Sequence, residues 1–228
     1  MEIIETPSPN FDARPAGACI DMLVIHYTGM TDAAAALERM RDAAAKVSSH
    51  YFIGEDGAIY RLVDEAHRAW HAGVSFWRGI TDCNARSIGI ELQNPGHEFG
   101  YQDFPDAQMR ALEWLALDIL SRHPIPPFSV VGHSDIAPAR KMDPGERFDW
   151  KRLAARNIGI WPEPASGQET DLNAGQMLAE LGYQTSDMDA AVTAFQRRYR
   201  TGTIDGEADA ETLALMAALV QGRLAPDP

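Results

Sequence analysis

The chain has 228 residues, of which 45% are hydrophobic, and its formal net charge is −13. This length and this hydrophobic content predict a folded protein, either one large domain or a medium domain with a small one, and they argue against disorder. The acidic charge argues against a nucleic-acid-binding protein, which would carry a basic surface. No apolar run approaches the roughly 18 residues that a membrane-spanning helix needs.

The N-terminal segment, Met1 to Pro9, has neither the basic region nor the apolar region of a signal peptide. If Met1 is the native start, we expect a cytoplasmic protein. If Met1 was added to a shortened chain, this expectation fails, and the alternative is the periplasm or cell envelope.

The first strong strand pattern is the apolar run from Met22 to Ile25, and His26 follows it at once. A helix is predicted after Thr31-Asp32, which offers an N-cap. Two further strands, separated by a turn at Glu55-Asp56-Gly57, predict a β-hairpin. His26 is therefore expected at the end of a buried strand, where a rigid element can hold a reactive side chain in place.

A second apolar strand, Ser87 to Leu92, contains Glu91. A carboxylate inside a buried strand is costly unless it is paired or has a chemical role. Glu91 is therefore the candidate for a general base that takes a proton from water.

A long amphipathic helix is predicted to begin after Pro105, and a third apolar strand, Val130-Val131, then leads to His133. The loop that follows is rich in Pro and Gly and carries Lys141 and Asp143. A loop of this kind can bring His133 and Asp143 to one metal ion, and His26 supplies a third ligand. Two histidines and one aspartate leave one tetrahedral position of a single Zn²⁺ open for water, which is typical of a catalytic site.

After Trp161 the chain becomes rich in Pro, Ser and Gly, which predicts a linker over residues 162–168. Three helical patterns follow it. We therefore predict an α/β domain over residues 1–161, with a mixed central sheet flanked by helices, and a small three-helix domain over residues 169–228.

Three segments in the first two thirds of the chain together resemble the zinc-dependent N-acetylmuramoyl-L-alanine amidases of the AmpD type, which share their fold with peptidoglycan recognition proteins. They are Val24-Ile25-His26-Tyr27-Thr28, Ser87-Ile88-Gly89-Ile90-Glu91, and the run from Gly132-His133 to Lys141-Met142-Asp143-Pro144-Gly145. The resemblance implies hydrolysis of the amide between N-acetylmuramic acid and L-Ala of peptidoglycan or muropeptides. His26, His133 and Asp143 would bind zinc, and Glu91 and Lys141 would be catalytic. Which of the latter two is the base stays open.

The same resemblance suggests contacts with substrate for Tyr51, His71, Asn84 and Arg86. A core position is an equal alternative for Tyr51, and a hydrogen bond within the loop is one for His71. The alternative for Arg86 is a solvated surface charge.

The tail resembles the type 1 peptidoglycan-binding domain. The resemblance is carried by Ala191-Val192 with Phe195-Gln196 and Tyr199, by Ile204-Asp205-Gly206, and by Glu211-Thr212-Leu213. It implies a module that anchors the protein to the wall and raises the local concentration of substrate. Two other functions remain as alternatives, namely a peptidoglycan-binding or sensing protein without catalysis, and a zinc endopeptidase that cleaves stem peptides.

Overall fold

The computed structural model describes residues 1–163 and 171–224. The strands are β1 (Ile3–Glu5), β2 (Phe11–Ala13), β3 (Met22–Tyr27), β4 (Tyr51–Ile53), β5 (Ile59–Arg61), β6 (His67–Ala69), β7 (Ser87–Leu92) and β8 (Val130–Gly132). The helices are α1 (Ala33–Arg41), α2 (Cys83–Arg86), α3 (Gly96–Phe99), α4 (Asp106–Arg122), α5 (His133–Ile136), α6 (Trp150–Ala154), α7 (Ala174–Leu181), α8 (Met188–Tyr199) and α9 (Ala210–Leu224).

Six strands form one mixed sheet in the order β1-β5-β4-β7-β3-β8. Strand β3 lies between β7 and β8 and is parallel to both, whereas β4 and β5 form the antiparallel hairpin. The predicted α/β fold with a mixed sheet is confirmed. The short strands β1, β2 and β6 were not predicted, because three-residue strands leave little periodic signal.

The two faces of the sheet have different partners, because successive side chains of a strand point in opposite directions. Leu23 and Ile25 of β3, with Ile88 and Ile90 of β7, belong to the hydrophobic cluster that includes the buried face of α4. The register pairs His26 with Glu91, so these two side chains project together from the opposite face, near the carboxyl ends of their strands. The fold thus brings the predicted base next to a predicted ligand.

The three helices of the tail are present, and their apolar faces pack against the sheet. Met22 and Val24 of β3 share one hydrophobic cluster with residues of all three helices, among them Leu178, Phe195 and Leu219. Of the predicted linker, residues 164–168 lie outside the described part of the chain. The division into two domains stays a prediction, and the described helices are joined to the sheet by a common core.

Within the described residues, no helix is both long enough and apolar enough to cross a membrane.

Candidate metal centre

Three buried side chains meet at the carboxyl ends of β3 and β8. His26 lies near the end of β3, His133 is the first residue of α5 directly after β8, and Asp143 lies in the loop beyond. The Nδ1 atoms of His26 and His133 are 2.9 Å apart, and they lie 3.1 Å and 3.0 Å respectively from Oδ2 of Asp143. These are the three residues that the sequence predicts as metal ligands, and the structure brings them together.

The loop that carries Asp143 is held in place by its own hydrogen bonds. The backbone N–H of Ser134 donates to the carbonyl of Asp143 at 2.8 Å, and the hydroxyl of Tyr101 donates to the carbonyl of Pro144 at 2.6 Å. Burial alone would raise the pKa of Asp143, but His133 and His26 outweigh it and hold that pKa well below the ordinary value. Asp143 therefore presents an ionised carboxylate to the centre.

The ring of His133 is oriented by a backbone carbonyl. Its Nε2 lies 3.0 Å from the carbonyl oxygen of Ala72, and that oxygen also accepts from Arg140 at 2.8 Å. A carbonyl oxygen can only accept, so Nε2 of His133 carries the hydrogen. With that hydrogen on Nε2, the neutral form of the ring has an unprotonated Nδ1 on the side of Asp143.

This arrangement fits a metal ion. An unprotonated Nδ1 of His133 and the carboxylate oxygen of Asp143, 3.0 Å apart, can both bind one cation. The ligand atoms of His26, His133 and Asp143 all lie within 4.8 Å of one another. Around a tetrahedral zinc with bonds of about 2.0–2.1 Å, neighbouring ligand atoms are roughly 3.3 Å apart, which is close to the separations seen here.

Glu91 is half-buried beside this group, and its Oε2 is enclosed without a hydrogen-bond partner among the described residues. Burial raises the pKa of Glu91 well above its ordinary value, and the negative charge of Asp143 raises it further, whereas Lys141 lowers it. A carboxylate with a raised pKa binds protons more readily than an exposed one, so Glu91 has the properties of a base.

Lys141 is half-buried in the same loop as Asp143, and its backbone N–H donates to Ala137 at 2.9 Å. Its positive charge acts on both His26 and Glu91, which places the ammonium near the centre. Among the described residues it has no carboxylate within ion-pair distance. The ammonium group of Lys141 is therefore available to pair with a negative charge on a bound molecule.

His71 is buried and contacts the ring nitrogen of His26 that does not face Asp143. Its Nδ1 lies 3.0 Å from Nε2 of His26. The side-chain oxygen of Asn84 accepts hydrogen bonds from the backbone N–H groups of His71 and Ala72, at 3.1 Å and 2.8 Å. His71 and Asn84 thus have partners within the protein, and their predicted substrate contacts stay predictions. His71 supports a ligand, and Asn84 holds the loop of His71.

Tyr51 and Arg86 both have polar partners within the protein, and their predicted substrate contacts stay predictions. Tyr51 pairs with Ile90 in register and so lies on the α4 face of the sheet, where its hydroxyl donates to Glu65 at 2.7 Å. Arg86 precedes β7 at the opposite end of the strand from Glu91, and it forms an ion pair with Asp21. In both cases a polar partner distant in sequence determines the position, and local motif matching cannot reveal such a partner.

Two residues of β7 that the sequence analysis did not select also belong to this region. The hydroxyl of Ser87 lies 3.2 Å from Nε2 of His71. A Cβ atom at Gly89 would lie 2.5 Å from the His71 ring, so only glycine leaves room for that ring. Ser87, Gly89 and Glu91 alternate along the strand and share one face, and this period of two was the signal available in the sequence.

Residues 16–146 match the family described as N-acetylmuramoyl-L-alanine amidase. The chain is 38% identical to the N-acetylmuramoyl-L-alanine amidase AmiD of Escherichia coli, over 92% of this chain and 85% of AmiD. It is 36% identical to the 1,6-anhydro-N-acetylmuramyl-L-alanine amidase AmpD of Citrobacter freundii, over 68% of this chain and 89% of AmpD.

Solved structures agree with these matches. The structure of E. coli AmiD with anhydro-N-acetylmuramic acid-L-Ala-D-gamma-Glu-L-Lys superimposes with a TM-score of 0.80, covering 91% of this chain and 92% of that one. AMPDH3 of Pseudomonas aeruginosa in complex with anhydromuramic pentapeptide is 33% identical, with a TM-score of 0.81 over 92% of this chain and 94% of that one. The chain therefore belongs to the N-acetylmuramoyl-L-alanine amidase family.

Proposed function

We propose that the protein is a zinc-dependent hydrolase of the amide bond between the lactyl group of N-acetylmuramic acid and L-Ala of the stem peptide. The observation that carries this proposal is the convergence of His26, His133 and Asp143 beside Glu91. Two neutral nitrogen ligands and one carboxylate suit Zn²⁺, and three protein ligands leave a position for water.

The substrate class follows from the relatives. AmiD, which is similar over nearly the whole chain, was solved with an anhydromuramoyl tripeptide, and AMPDH3 with an anhydromuramoyl pentapeptide. Both ligands contain the muramoyl group and a stem peptide. We therefore propose muropeptides or peptidoglycan as the substrate of this chain.

The catalytic roles follow from charge and position. Zinc in such a site lowers the pKa of water and polarises a carbonyl group. Glu91, which lies beside His26 in register, would take the proton of the attacking water and pass it to the nitrogen of the leaving L-Ala. Lys141 stabilises the negative charge that develops on the carbonyl oxygen. This assignment makes Glu91 the base.

The test is digestion of purified sacculi and of anhydromuropeptides, with and without a zinc chelator, followed by mass spectrometry. We expect free stem peptides that begin at L-Ala, lost with chelator and restored by zinc. Glu91→Gln should lower kcat by about 10²–10⁴-fold, because it keeps the shape of the side chain and removes the base. Lys141→Met should lower kcat by roughly 10²–10³-fold with a smaller change in KM.

Other products would identify the alternatives. Cleavage within the stem peptide would make the protein an endopeptidase. Substrate that is bound but left intact under zinc-replete conditions would make it a binding or sensing protein. A preference for anhydromuropeptides over sacculi would favour a cytoplasmic recycling role, whereas the reverse preference would favour the cell envelope.

We also propose that the helices over residues 169–228 bind peptidoglycan and hold the centre close to the polymer. The support is the resemblance of the tail to the type 1 peptidoglycan-binding domain and the match to AmiD across 92% of the chain. Sedimentation of full-length Glu91→Gln with intact sacculi tests this proposal. Retention that free anhydromuropeptide fails to displace would support a separate wall contact, and full displacement would place all binding at the metal centre.

A further inference from the structure

The second ring nitrogen of His26 begins a chain of buried hydrogen bonds that leads away from the metal centre. Nε2 of His26 lies 3.0 Å from Nδ1 of His71, and Nε2 of His71 lies 3.2 Å from Oγ of Ser87. The hydroxyl of Ser87 lies 2.6 Å from the backbone carbonyl of Cys83. All four residues are buried, so water does not compete for these bonds.

The carbonyl of Cys83 determines the direction of the whole chain. A carbonyl oxygen only accepts, so the single hydroxyl hydrogen of Ser87 points to Cys83. Ser87 then accepts from Nε2–H of His71. The His71 ring is buried and has no carboxylate among its hydrogen-bond partners in the described part of the chain, so a charged ring would be costly there and the ring carries one N–H. Its Nδ1 is therefore an acceptor, and Nε2 of His26 donates to it.

We infer that Ser87 and His71 fix His26 in the tautomer that carries its hydrogen on Nε2 and turns an unprotonated Nδ1 toward the metal. Ser87 and His71 are thus positioning residues for a metal ligand. The inference rests on the proposed zinc site, because it assigns a role in preparing that site.

The surroundings of His71 support a positioning role. Gly89 leaves space for its ring against β7, and Asn84 fixes its backbone through two hydrogen bonds. His133 is prepared in a comparable way by the carbonyl of Ala72. Both histidine ligands therefore present Nδ1 to Asp143, one through a direct carbonyl contact and the other through two intervening side chains.

The experiment reads the tautomer in the metal-free full-length protein by long-range ¹H–¹⁵N correlation of the histidine rings. In the wild type we expect the hydrogen of His26 on Nε2. In Ser87→Ala, His71 loses its acceptor and can turn its hydrogen toward His26, so we expect His26 to shift toward the tautomer protonated on Nδ1. Competition with a chromophoric chelator should then show zinc affinity about 10–100-fold lower.

Ser49→Ala is the matched control. Ser49 is also buried and donates its hydroxyl hydrogen to a backbone carbonyl, that of Tyr51 at 2.7 Å, but it does not contact His71. We expect a comparable loss of thermal stability with an unchanged His26 tautomer and unchanged zinc affinity. A purely structural role of Ser87 would instead make the two variants alike in all three measurements.

His71 variants give a second test that does not depend on Ser87. In His71→Asn the side-chain oxygen can replace Nδ1 as the acceptor, so the tautomer and most of the zinc affinity should be kept. In His71→Leu both should be lost. An unchanged tautomer in Ser87→Ala and His71→Leu would overturn the inference even if the enzyme binds zinc. Conversely, wild-type protein with the expected tautomer but no zinc binding would refute the proposed zinc site alone.

Discussion

Glu65 is the polar partner that holds the Tyr51 hydroxyl in place. It accepts from the hydroxyl of Tyr51 at 2.7 Å, lies 2.6 Å from Nε2 of His123, and pairs with Arg122. These contacts tie Tyr51 to the α4 side of the sheet. The side chain that a family motif placed near substrate is therefore part of a structural network.

This network predicts a dependence of stability on pH. Burial opposes ionisation of Glu65, but hydrogen bonds from Arg122 and His123 outweigh it and lower its pKa from 4.5 to about 2. A lowered carboxyl pKa contributes stability that is present above the unfolded-state pKa and is lost as the pH falls toward the folded-state value. Wild type should therefore exceed Glu65→Gln in free energy of unfolding by about 1–2 kcal/mol near neutral pH, allowing for solvent screening.

Urea unfolding at several pH values measures this difference. We expect it to narrow between about pH 5 and pH 3, because the unfolded wild-type chain begins to bind the proton there. Glu98→Gln, a change at an exposed glutamate, serves as control and should show no such trend. A difference that stays constant with pH would mean that Glu65 acts through packing instead of charge.

At the scale of the element, the three residues on one face of β7 make different contacts. Ser87 contacts His71, Gly89 makes space for the His71 ring, and Glu91 reaches the metal centre. The alternate residues Ile88 and Ile90 pack toward α4. One face of this short strand therefore packs into the hydrophobic cluster, and the other face contacts His71 and the metal centre.

Gly89→Ala tests this reading of β7. The added Cβ would lie 2.5–2.7 Å from ring atoms of His71, so either the strand or the ring must move. We expect a loss of about 1–3 kcal/mol in the free energy of unfolding, as for other overpacked cores, together with weaker zinc binding. Gly202→Ala, at a position with nothing within 4 Å, should change neither quantity. If Gly89→Ala bound zinc with wild-type affinity, the position of the His71 ring would not affect metal binding.

The sequence was sufficient for the elements that bear the proposed metal ligands, because His26 and His133 end or directly follow a strongly apolar strand and Asp143 lies in the loop that comes after His133. It was not sufficient for the contacts of His71 and Arg86. Their partners, His26 and Asp21, are distant along the chain, and neither hydrogen bonds nor ion pairs of this kind produce a local periodicity. The edge strand β1 was missed for a related reason, since it is defined by its pairing with β5.

At the scale of the molecule, a buried ion pair joins the tail to helix α5. Arg198 of α8 donates to Asp135 at 2.6 Å and to the carbonyl of Val130 at 2.9 Å. Tyr183 donates to the other oxygen of Asp135 at 2.7 Å. Asp135 lies in α5, the helix that begins at His133, so the tail helices contact the same helix that carries a proposed metal ligand.

Arg198→Met should therefore destabilise the whole protein. The variant keeps the hydrogen bond from Tyr183 to Asp135 but removes the cationic partner of a buried pair, which typically costs about 3–5 kcal/mol. Denaturant unfolding followed by fluorescence should show a single transition shifted to lower denaturant, because the sheet and the tail share a core. Arg197→Met, at the neighbouring half-buried arginine, should change stability by less than about 0.5 kcal/mol. Two separate transitions in the wild type would show that the tail folds independently.

The common core has a consequence for how such chains diversify. Met22, Val24 and Trp77 are buried together with side chains of the tail, so loss of the three helices would expose an apolar surface beside the metal centre. We expect family members without these helices to carry polar side chains or a covering loop at the equivalent positions. Exchange of the three helices for another folded module by simple fusion after Trp161 should accordingly yield aggregating proteins unless that surface is redesigned as well.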